Sequence, residues 1–192
     1  ACRQGGGERK SLDQRAALNR FLAQVERRAF GMARLSCGSP DDALDIVQDT
    51  MLHFARLYSG RPEGEWSVLF YRILHSRITD WYRRAAVRRR VHDWFGRPRE
   101  ADGDEEDPMA RVADTTSPDP AEGVMRKEFT EALRGALKKL PLRQRQAFVL
   151  RAWEGFDTAQ TARAMGCSEG SVKTHYSRAV HALQGTLEEF QP

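Results

Sequence analysis

The stretch from Leu140 to Leu183 constrains the fold most, because it holds three short helical patterns with a tight turn between the last two. Ala162, Gly166 and Val172 have the spacing of a helix-turn-helix. They supply a small residue where two helices approach, a glycine able to take positive φ in the turn, and an apolar anchor for the second helix. Ser168 occupies the N-cap position of that helix. The stretch therefore predicts a helix-turn-helix.

The outward face of its second helix carries hydrogen-bonding or basic side chains and no acid. Its members are Ser171, Lys173, Thr174, His175, Ser177 and Arg178. Short polar side chains reach base edges in the major groove, and basic ones hold phosphates. The pattern favours DNA binding. An ordinary helical hairpin with a solvated face is the alternative, because the Ala/Gly/Val spacing alone also occurs there.

Charge is segregated along the 192 residues. Residues 1–99 carry 19 basic and 11 acidic side chains, residues 100–122 carry 1 and 9, and residues 123–192 carry 11 and 7. Two basic blocks that flank an acidic one suit a polyanionic partner. Two solvated surfaces joined by a solubilising linker would give the same pattern.

The acidic segment is also rich in Pro and Gly and buries too little apolar area to offset the entropy of ordering. It predicts a flexible acidic linker at 97–123, between domains at 11–96 and 124–192, with a disordered N-terminal tail at 1–10. Helical periodicity recurs in both domains, and no alternating strand pattern of useful length is present. We expect an all-α fold of two small helical domains, the C-terminal one a helix-turn-helix.

Residues 41–58 predict a strongly amphipathic helix, which Ser39 or Asp41 is expected to cap. Its expected buried stripe is Leu44, Val47, Met51, Phe54 and Ala55. The first half of its exposed side carries Asp41, Asp42, Asp45, Gln48 and Asp49. Acids in the first turn suit the helix dipole, but this does not account for Asp45 and Asp49. So consistent an acidic face in a basic protein predicts a basic protein partner.

Residues 66–90 predict a helix that begins aromatic and ends basic. Rings interleaved with arginines are typical of surfaces for unpaired bases, since rings stack on bases and guanidinium groups hold phosphates. Several of these rings, Phe70 among them, are instead expected in the core. Trp81 and Tyr82 are adjacent and cannot both point inward, so at least one is expected at the surface.

Familiar catalytic and metal-binding patterns are missing from the sequence. Three cysteines are too few and too scattered for a disulfide framework, and no apolar run approaches the roughly 20 residues of a membrane span. No P-loop, HExxH, GxSxG or CxxC motif occurs, and no histidine has partners at metal-ligand spacing. We expect a cytoplasmic protein with no catalysis, no cofactor, no metal and no membrane insertion. A nuclease with a DNA-binding tail would need clustered carboxylates, and those at 100–107 lie in the predicted linker.

The two blocks together resemble the extracytoplasmic-function (ECF) group of sigma-70 factors, the small promoter-recognition subunits of bacterial RNA polymerase. DDALDIVQDTMLHFARLY and WSVLFYRILHSRITDWYRR are similar to motifs of that family's first domain. LPLRQRQAFVLRAWEGF and ARAMGCSEGSVKTHYSRAVHAL are similar to motifs of its second. The resemblance runs from about Leu18 to Leu183, the linker excepted.

This resemblance implies three sets of site residues in a non-catalytic subunit. Docking on the clamp coiled coil of the large polymerase subunit is implied for Asp45, Val47, Gln48, Asp49 and Met51. Opening of the −10 element and capture of a base are implied for Arg72, Ser76, Arg77, Trp81, Arg83 and Arg84. Reading of the −35 element is implied for Ser171, Lys173, Thr174, His175, Ser177 and Arg178, with Arg151 on the DNA backbone. The linker would thread the RNA exit channel, and an anti-sigma factor is a further expected class of partner.

A one-component transcriptional regulator is the alternative function, because such proteins carry a similar C-terminal helix-turn-helix. It predicts a sensory N-terminal domain, usually with strands. The aromatic and arginine-rich block at 66–90 disfavours it.

Several positions depart from the family's motifs. Ser76 stands in place of a frequent Asn and offers fewer groups to a base edge. The sequence Leu69-Phe70-Tyr71 replaces Trp-Leu-Tyr, and Thr161 replaces an apolar residue. His175 replaces an Arg.

The exchange His175→Arg is expected to raise promoter affinity at pH 8. A guanidinium keeps its charge at this pH and holds a phosphate with several N–H donors, whereas an imidazole is a weaker partner for a phosphate. Titration of promoter DNA with both proteins at pH 8 checks this, and equal affinities would contradict it.

Overall fold

The structure, a computed structural model, describes the backbone of residues 5–94 and 120–187, and side chains within 12–88 and 127–185. Helices and no strands occupy these ranges, so the all-α prediction is confirmed. The helices are α1 (Gly5–Cys37), α2 (Pro40–Tyr58), α3 (Glu63–Trp94), α4 (Pro120–Lys139), α5 (Leu142–Ala152), α6 (Thr158–Met165) and α7 (Glu169–Leu187). The chain divides into two compact units after Arg84, within α3.

Helix ends differ from those that periodicity predicts. Helix α1 already begins at Gly5, inside the predicted tail, and α3 begins at Glu63 and reaches Trp94. Helix α4 begins at Pro120, inside the end of the predicted linker. The turns added at the starts of α1, α3 and α4 carry mostly polar or small residues, and periodicity detects only turns that have an apolar side. Residues 1–4, 95–119 and 188–192, with most of the predicted linker, lie outside the described ranges.

Four aromatic rings form the core of the N-terminal unit and join its three helices. Phe21 of α1 lies 5.4 Å from Phe54 of α2 and 5.4 Å from Trp66 of α3, between ring centroids. Phe70 lies 5.8 Å from both Phe21 and Phe54, in edge-to-face arrangements. Such pairs stabilise a fold by about 0.5–1.5 kcal/mol each beyond the area they bury. This ring cluster fixes which side of α2 and of α3 points inward.

The corner between α1 and α2 follows from three adjacent residues. Gly38 adopts a positive φ of 83°, which ends α1. Ser39 caps α2 by accepting a hydrogen bond from the backbone N–H of Asp42 at 3.3 Å, and Pro40 opens the first turn. Burial raises the pKa of Cys37 to about 11, so this thiol stays protonated at neutral pH. Of the two predicted caps, the structure selects Ser39.

The buried side of α2 is rotated from the predicted stripe. Val47 and Phe54 are buried as expected, but Leu44 is 48% exposed. Ala43 and Thr50 are fully buried instead, because small side chains let α2 approach its neighbours closely. The Thr50 hydroxyl is satisfied within the helix by donating to the Ile46 carbonyl at 2.7 Å. The inward prediction for Leu44 was therefore wrong.

Helix α4 does not bury all of its large apolar side chains. Phe129 is 38% exposed, whereas Leu137 and Leu140 are buried. The core of the C-terminal unit therefore meets α4 through its last turns. Its first described turns contribute less.

Two arginines of α5 hold the two ends of α6. Arg143 donates from Nη1 to the Met165 carbonyl at the end of α6, at 2.8 Å. Arg151, at the other end of α5, donates from Nη1 to the Thr158 hydroxyl at the start of α6, also at 2.8 Å. Helix α6 therefore runs antiparallel to α5.

A third arginine, Arg145, is buried and closes the end of α4. Its Nη2 donates to the carbonyls of Lys138 and Leu140, both at 3.0 Å. These carbonyls belong to the last residues before the α4–α5 turn and have no partner inside a helix. A cation there also opposes the negative end of the α4 dipole.

Replacing Arg145 by Met should lower the free energy of unfolding of the C-terminal unit by about 2–3 kcal/mol, because one buried and one part-buried carbonyl lose a charged donor. Urea unfolding of the full chain, followed by tryptophan fluorescence, measures this as a shift of the transition to which Trp153 contributes. Arg163→Met is the matched control, since Arg163 is exposed on α6, and it should change stability by less than about 0.5 kcal/mol. Equal stabilities of the two variants would contradict the assigned role.

Candidate functional site

The turn between α6 and α7 has the geometry that the sequence predicts. Gly166 ends α6 in the left-handed region at φ 63°, and the N–H of Cys167 bonds back to the Ala162 carbonyl at 3.1 Å. Ser168 accepts a hydrogen bond from the backbone of Ser171 at 3.2 Å, as an N-cap does. The start of α6 is also fixed, since Asp157 and Gln160 bond each other's backbone in a capping box. This box was not among the features predicted from the sequence, although its D-x-x-Q spacing is visible there.

Helix α7 packs inward through Val172, Ala179 and Leu183, which are 0–4% exposed. The predicted DNA-contacting side chains of α7 lie around the rest of its circumference. We call this set the recognition face: Ser171, Lys173, Thr174, His175, Ser177 and Arg178. At 3.6 residues per turn, these six residues span about 200° of the circumference of α7, away from its buried side.

Members of the recognition face differ in whether their hydrogen-bonding groups already have a partner within the protein. The hydroxyls of Ser171 and Ser168 lie 2.9 Å apart, and the Thr174 hydroxyl donates to the Gly170 carbonyl at 3.0 Å. Both side chains are thus engaged within α7. Lys173, Ser177 and Arg178 are exposed. The unengaged donors of this face are therefore mainly basic.

His175 lies at the edge of the recognition face and is half-buried. Its Nδ1 is buried and has no hydrogen-bond partner among the described residues. The imidazole can therefore approach a ligand only by its other edge. Its short reach compared with Arg agrees with the weaker phosphate contact that the sequence predicts.

Arg151 lies beside the recognition face. Its guanidinium carbon is 5.2 Å from the centroid of the Tyr176 ring, in addition to the bond to Thr158. Arg151 is half-exposed. No carboxylate forms an ion pair with it in the part of the chain that the structure describes, so its charge is available to a ligand.

The exposed side of α2 combines acids with leucines. We call this set the α2 face: Asp41, Leu44, Asp45, Gln48, Asp49 and Leu52. Leu44 and Leu52 are 48% and 55% exposed, and each lies one turn from Gln48. The three aspartates follow one another at intervals of four residues. None of them has an ion-pair partner within the described residues.

Two of the five residues predicted for docking do not reach this face. Val47 is 3% exposed and packs in the core, and Met51 is half-buried. Their contribution to docking would be to hold the helix. Leu44 and Leu52 were missed as surface residues. Their spacing of four on each side of Gln48 is the signal that indicates a shared face.

The arginine-rich part of α3 presents two stripes. Arg72, Ser76 and Arg83 share one side of α3, because residues four and seven apart lie on the same side of a helix. All three side chains are exposed. Arg77, Trp81 and Arg84 share another side, roughly 120° around the axis at 3.6 residues per turn. We call both stripes together the α3 surface. Arg83 makes one ion pair, with its Nη1 3.7 Å from Oδ1 of Asp80. Together, the arginines of the two stripes give the predicted −10 residues a broad basic surface.

Trp81 and Tyr82 have separate roles in this surface. The Tyr82 hydroxyl donates to the Ser36 carbonyl at 2.7 Å and so ties α3 to the end of α1. Trp81 leans edge-to-face on Tyr82, with ring centroids 5.3 Å apart. Its indole N–H has no hydrogen-bond partner among the described residues. Both rings are half-buried, but only Tyr82 forms a hydrogen bond through its polar atom within the described residues.

Neither a metal site nor a membrane span is found in the described ranges. No three His, Cys, Asp or Glu side chains there come together as metal ligands. No helix in the same ranges is both long and apolar enough to cross a bilayer.

Comparison with protein families assigns both units. Residues 19–89 match sigma-70 region 2, and residues 130–183 match sigma-70, region 4. These ranges contain the α2 face and the α3 surface in the first case, and the recognition face in the second. No similarity supports the alternative of a one-component regulator.

Named relatives agree with this assignment. The chain is 36% identical over 150 residues to the RNA polymerase sigma-E factor of Streptomyces antibioticus, covering 78% of this chain and 72% of the relative. It is 33% identical over 171 residues to the ECF RNA polymerase sigma factor EcfG of Rhodopseudomonas palustris, covering 86% and 83%.

A solved structure of a sigma factor has a similar fold. It is RpoE of Bartonella quintana in complex with the anti-sigma factor NepR, with a TM-score of 0.62 and 26% identity. The match covers 88% of this chain and 96% of that one. On these similarities and on the helix-turn-helix geometry, the chain is an RNA polymerase sigma factor that belongs to the ECF group of the sigma-70 family.

Proposed function

We propose that this sigma factor joins core RNA polymerase through the α2 face and reads promoter DNA with the α3 surface and the recognition face. The observation that carries the proposal is the α2 face. It sets exposed leucines among unpaired carboxylates on one side of a helix. The opposite side of the same helix is held by the ring cluster, so this face keeps a fixed orientation.

Two kinds of side chain on the α2 face would contribute differently to docking. Leu44 and Leu52 supply apolar area that gains free energy when a partner covers it, at about 25 cal/mol per Å². Asp41, Asp45 and Asp49 attract a basic partner and set its orientation. The clamp coiled coil of the large polymerase subunit is the proposed partner. This follows from the family to which the chain belongs.

The recognition face suits the major groove at the −35 element. Lys173 and Arg178 are exposed and carry charge. The acid of the first turn of α7, Glu169, lies four residues before Lys173 and forms no ion pair with it within the described residues. A recognition helix places such side chains at base edges and phosphates. Arg151 is proposed to hold the DNA backbone beside it.

The α3 surface suits opened DNA at the −10 element. Its arginines supply positive charge for phosphates, and Trp81 supplies a ring on which an unpaired base can stack. Stacking of this kind contributes about 1–3 kcal/mol per base, which offsets part of the few kcal/mol that unstacking costs. We infer no catalysis by this chain, since opening would be driven by binding and the polymerase supplies the chemistry.

Further partners follow from the same proposal. A matched sigma factor was solved with an anti-sigma factor, which supports a partner of that class for this chain. Passage of residues 97–123 through the RNA exit channel remains a prediction, since most of that segment lies outside the described ranges. Association with RNA polymerase implies a cytoplasmic location.

The exchange Asp49→Arg should weaken association with core RNA polymerase at least tenfold, because it reverses one charge of the α2 face, and tenfold corresponds to about 1.4 kcal/mol. Leu52→Ala should weaken it through lost apolar contact. Fluorescence anisotropy of labelled sigma factor titrated with core polymerase measures both. Glu26→Arg is the control, with the same charge reversal at an exposed site on α1.

Association that survives Asp49→Arg and Leu52→Ala at the level of Glu26→Arg would show that another surface docks. Unchanged circular dichroism of each variant is required, so that loss of fold is not mistaken for loss of docking.

The exchanges Lys173→Ala and Arg178→Ala should each weaken binding to promoter DNA. Removing a side chain that reads a base should cost about 1–3 kcal/mol of binding free energy and relax the preference at that base pair. Removing a side chain that contacts a phosphate should weaken binding to all sequences and lower the salt slope by about 0.9. Holoenzyme binding to duplexes with single −35 changes separates the two cases, with Lys138→Ala as control. Full retention of affinity and preference in both variants would contradict the assignment.

A further inference from the structure

Arg151 is held from both helices of the helix-turn-helix at once. Its Nη1 donates to the hydroxyl of Thr158, the first residue of α6, at 2.8 Å. Its guanidinium carbon lies 5.2 Å from the centre of the Tyr176 ring, on α7. A cation over an aromatic face is attracted by the ring quadrupole. One side chain of α5 therefore bridges both other helices of this motif.

Tyr176 is itself fixed before any ligand arrives. Its ring lies nearly parallel to that of Phe148, at an interplanar angle of 18° and a centroid distance of 6.2 Å. Phe148 and Arg151 are three residues apart and so share a side of α5. Tyr176 thus packs against the same side of α5 that carries the guanidinium.

The held guanidinium keeps most of its hydrogen-bonding capacity. It has five N–H donors, and Thr158 takes one of them. No acid neutralises its charge within the described residues. The first helix of a helix-turn-helix crosses the DNA backbone, and Thr158 lies at the N-terminal, positive end of that helix. Arg151 is therefore placed where a phosphate would pass.

We propose that Tyr176 and Thr158 are positioning residues that hold the Arg151 guanidinium in place for a phosphate of the −35 element. This inference rests on the proposed function of the recognition face. A free arginine side chain loses rotamer freedom when it binds, whereas a side chain that is already held loses less. Tyr176 thus contributes to promoter affinity although it need not touch DNA. Its effect passes through Arg151.

The test compares holoenzymes, assembled from each full-length variant and core polymerase, on a promoter duplex selected by the wild-type holoenzyme from a random library. Tyr176→Leu should weaken binding about three- to fivefold, the size of an exposed cation–π contact. Arg151→Gln lacks one phosphate contact, so its salt slope should be lower than that of the wild type by about 0.9. The salt slope of Tyr176→Leu should fall toward that of Arg151→Gln. Tyr176→Phe keeps the ring and should bind as the wild type.

A double-variant cycle separates positioning from packing. In an Arg151→Gln background, Tyr176→Leu should have no further effect on affinity. Thr158→Val removes the hydroxyl and should repeat the loss seen with Tyr176→Leu, whereas Thr158→Ser should restore it. Lys139→Gln, at the exposed end of α4, removes a charge elsewhere and should leave the salt slope unchanged. The Thr158 pair carries the test alone if Tyr176→Leu does not fold.

Equal losses from Tyr176→Leu in both backgrounds, with an unchanged salt slope, would overturn the inference and leave Tyr176 a packing residue. Wild-type affinity of both Tyr176→Leu and Thr158→Val would overturn it as well. Wild-type holoenzyme that forms but ignores the −35 sequence would instead overturn the proposed function of the recognition face, and this inference with it.

Discussion

Contact among Phe21, Phe54, Trp66 and Phe70 determines what the N-terminal unit can present to partners. These rings come from three helices, and the centroids of the contacting pairs lie 5.4–6.2 Å apart. Once Phe54 is buried there, the opposite side of α2 must face solvent, and that side carries the acids together with the exposed Leu44 and Leu52. The same packing aims the arginines of α3 outward. One apolar cluster thus orients an acidic face and a basic surface on neighbouring helices.

The C-terminal unit relies on polar contacts to a greater extent. Arg145 closes the end of α4, while Arg143 and Arg151 hold the two ends of α6. Helix α7 is anchored by small and branched apolar residues such as Val172 and Ala179. A unit of this size buries little apolar area, so charged donors on helix-end carbonyls supply part of its stability. Arginine therefore serves both the fold and the proposed DNA contact.

Much of this arrangement could be predicted from sequence, and the failures have physical causes. The helix-turn-helix was predictable because Gly166 and Ser168 each meet a local requirement of the turn. The buried side of α2 was misplaced because Ala43 and Thr50 are small, and close packing favours small residues that a hydrophobicity pattern ignores. Bonds between residues distant in sequence, such as Tyr82 to Ser36, leave no local pattern. The polar first turns of α1 and α3 were missed for a different reason, because periodicity detects only turns that have an apolar side.

The central claim is that this chain directs core RNA polymerase to promoters, and run-off transcription tests it most directly. Core polymerase would be incubated with and without the chain on a library of bacterial promoter fragments. We expect discrete transcripts that start at a shared sequence pattern and depend on the chain. Absence of any chain-dependent transcript, while the chain still binds duplex DNA without polymerase, would contradict the claim.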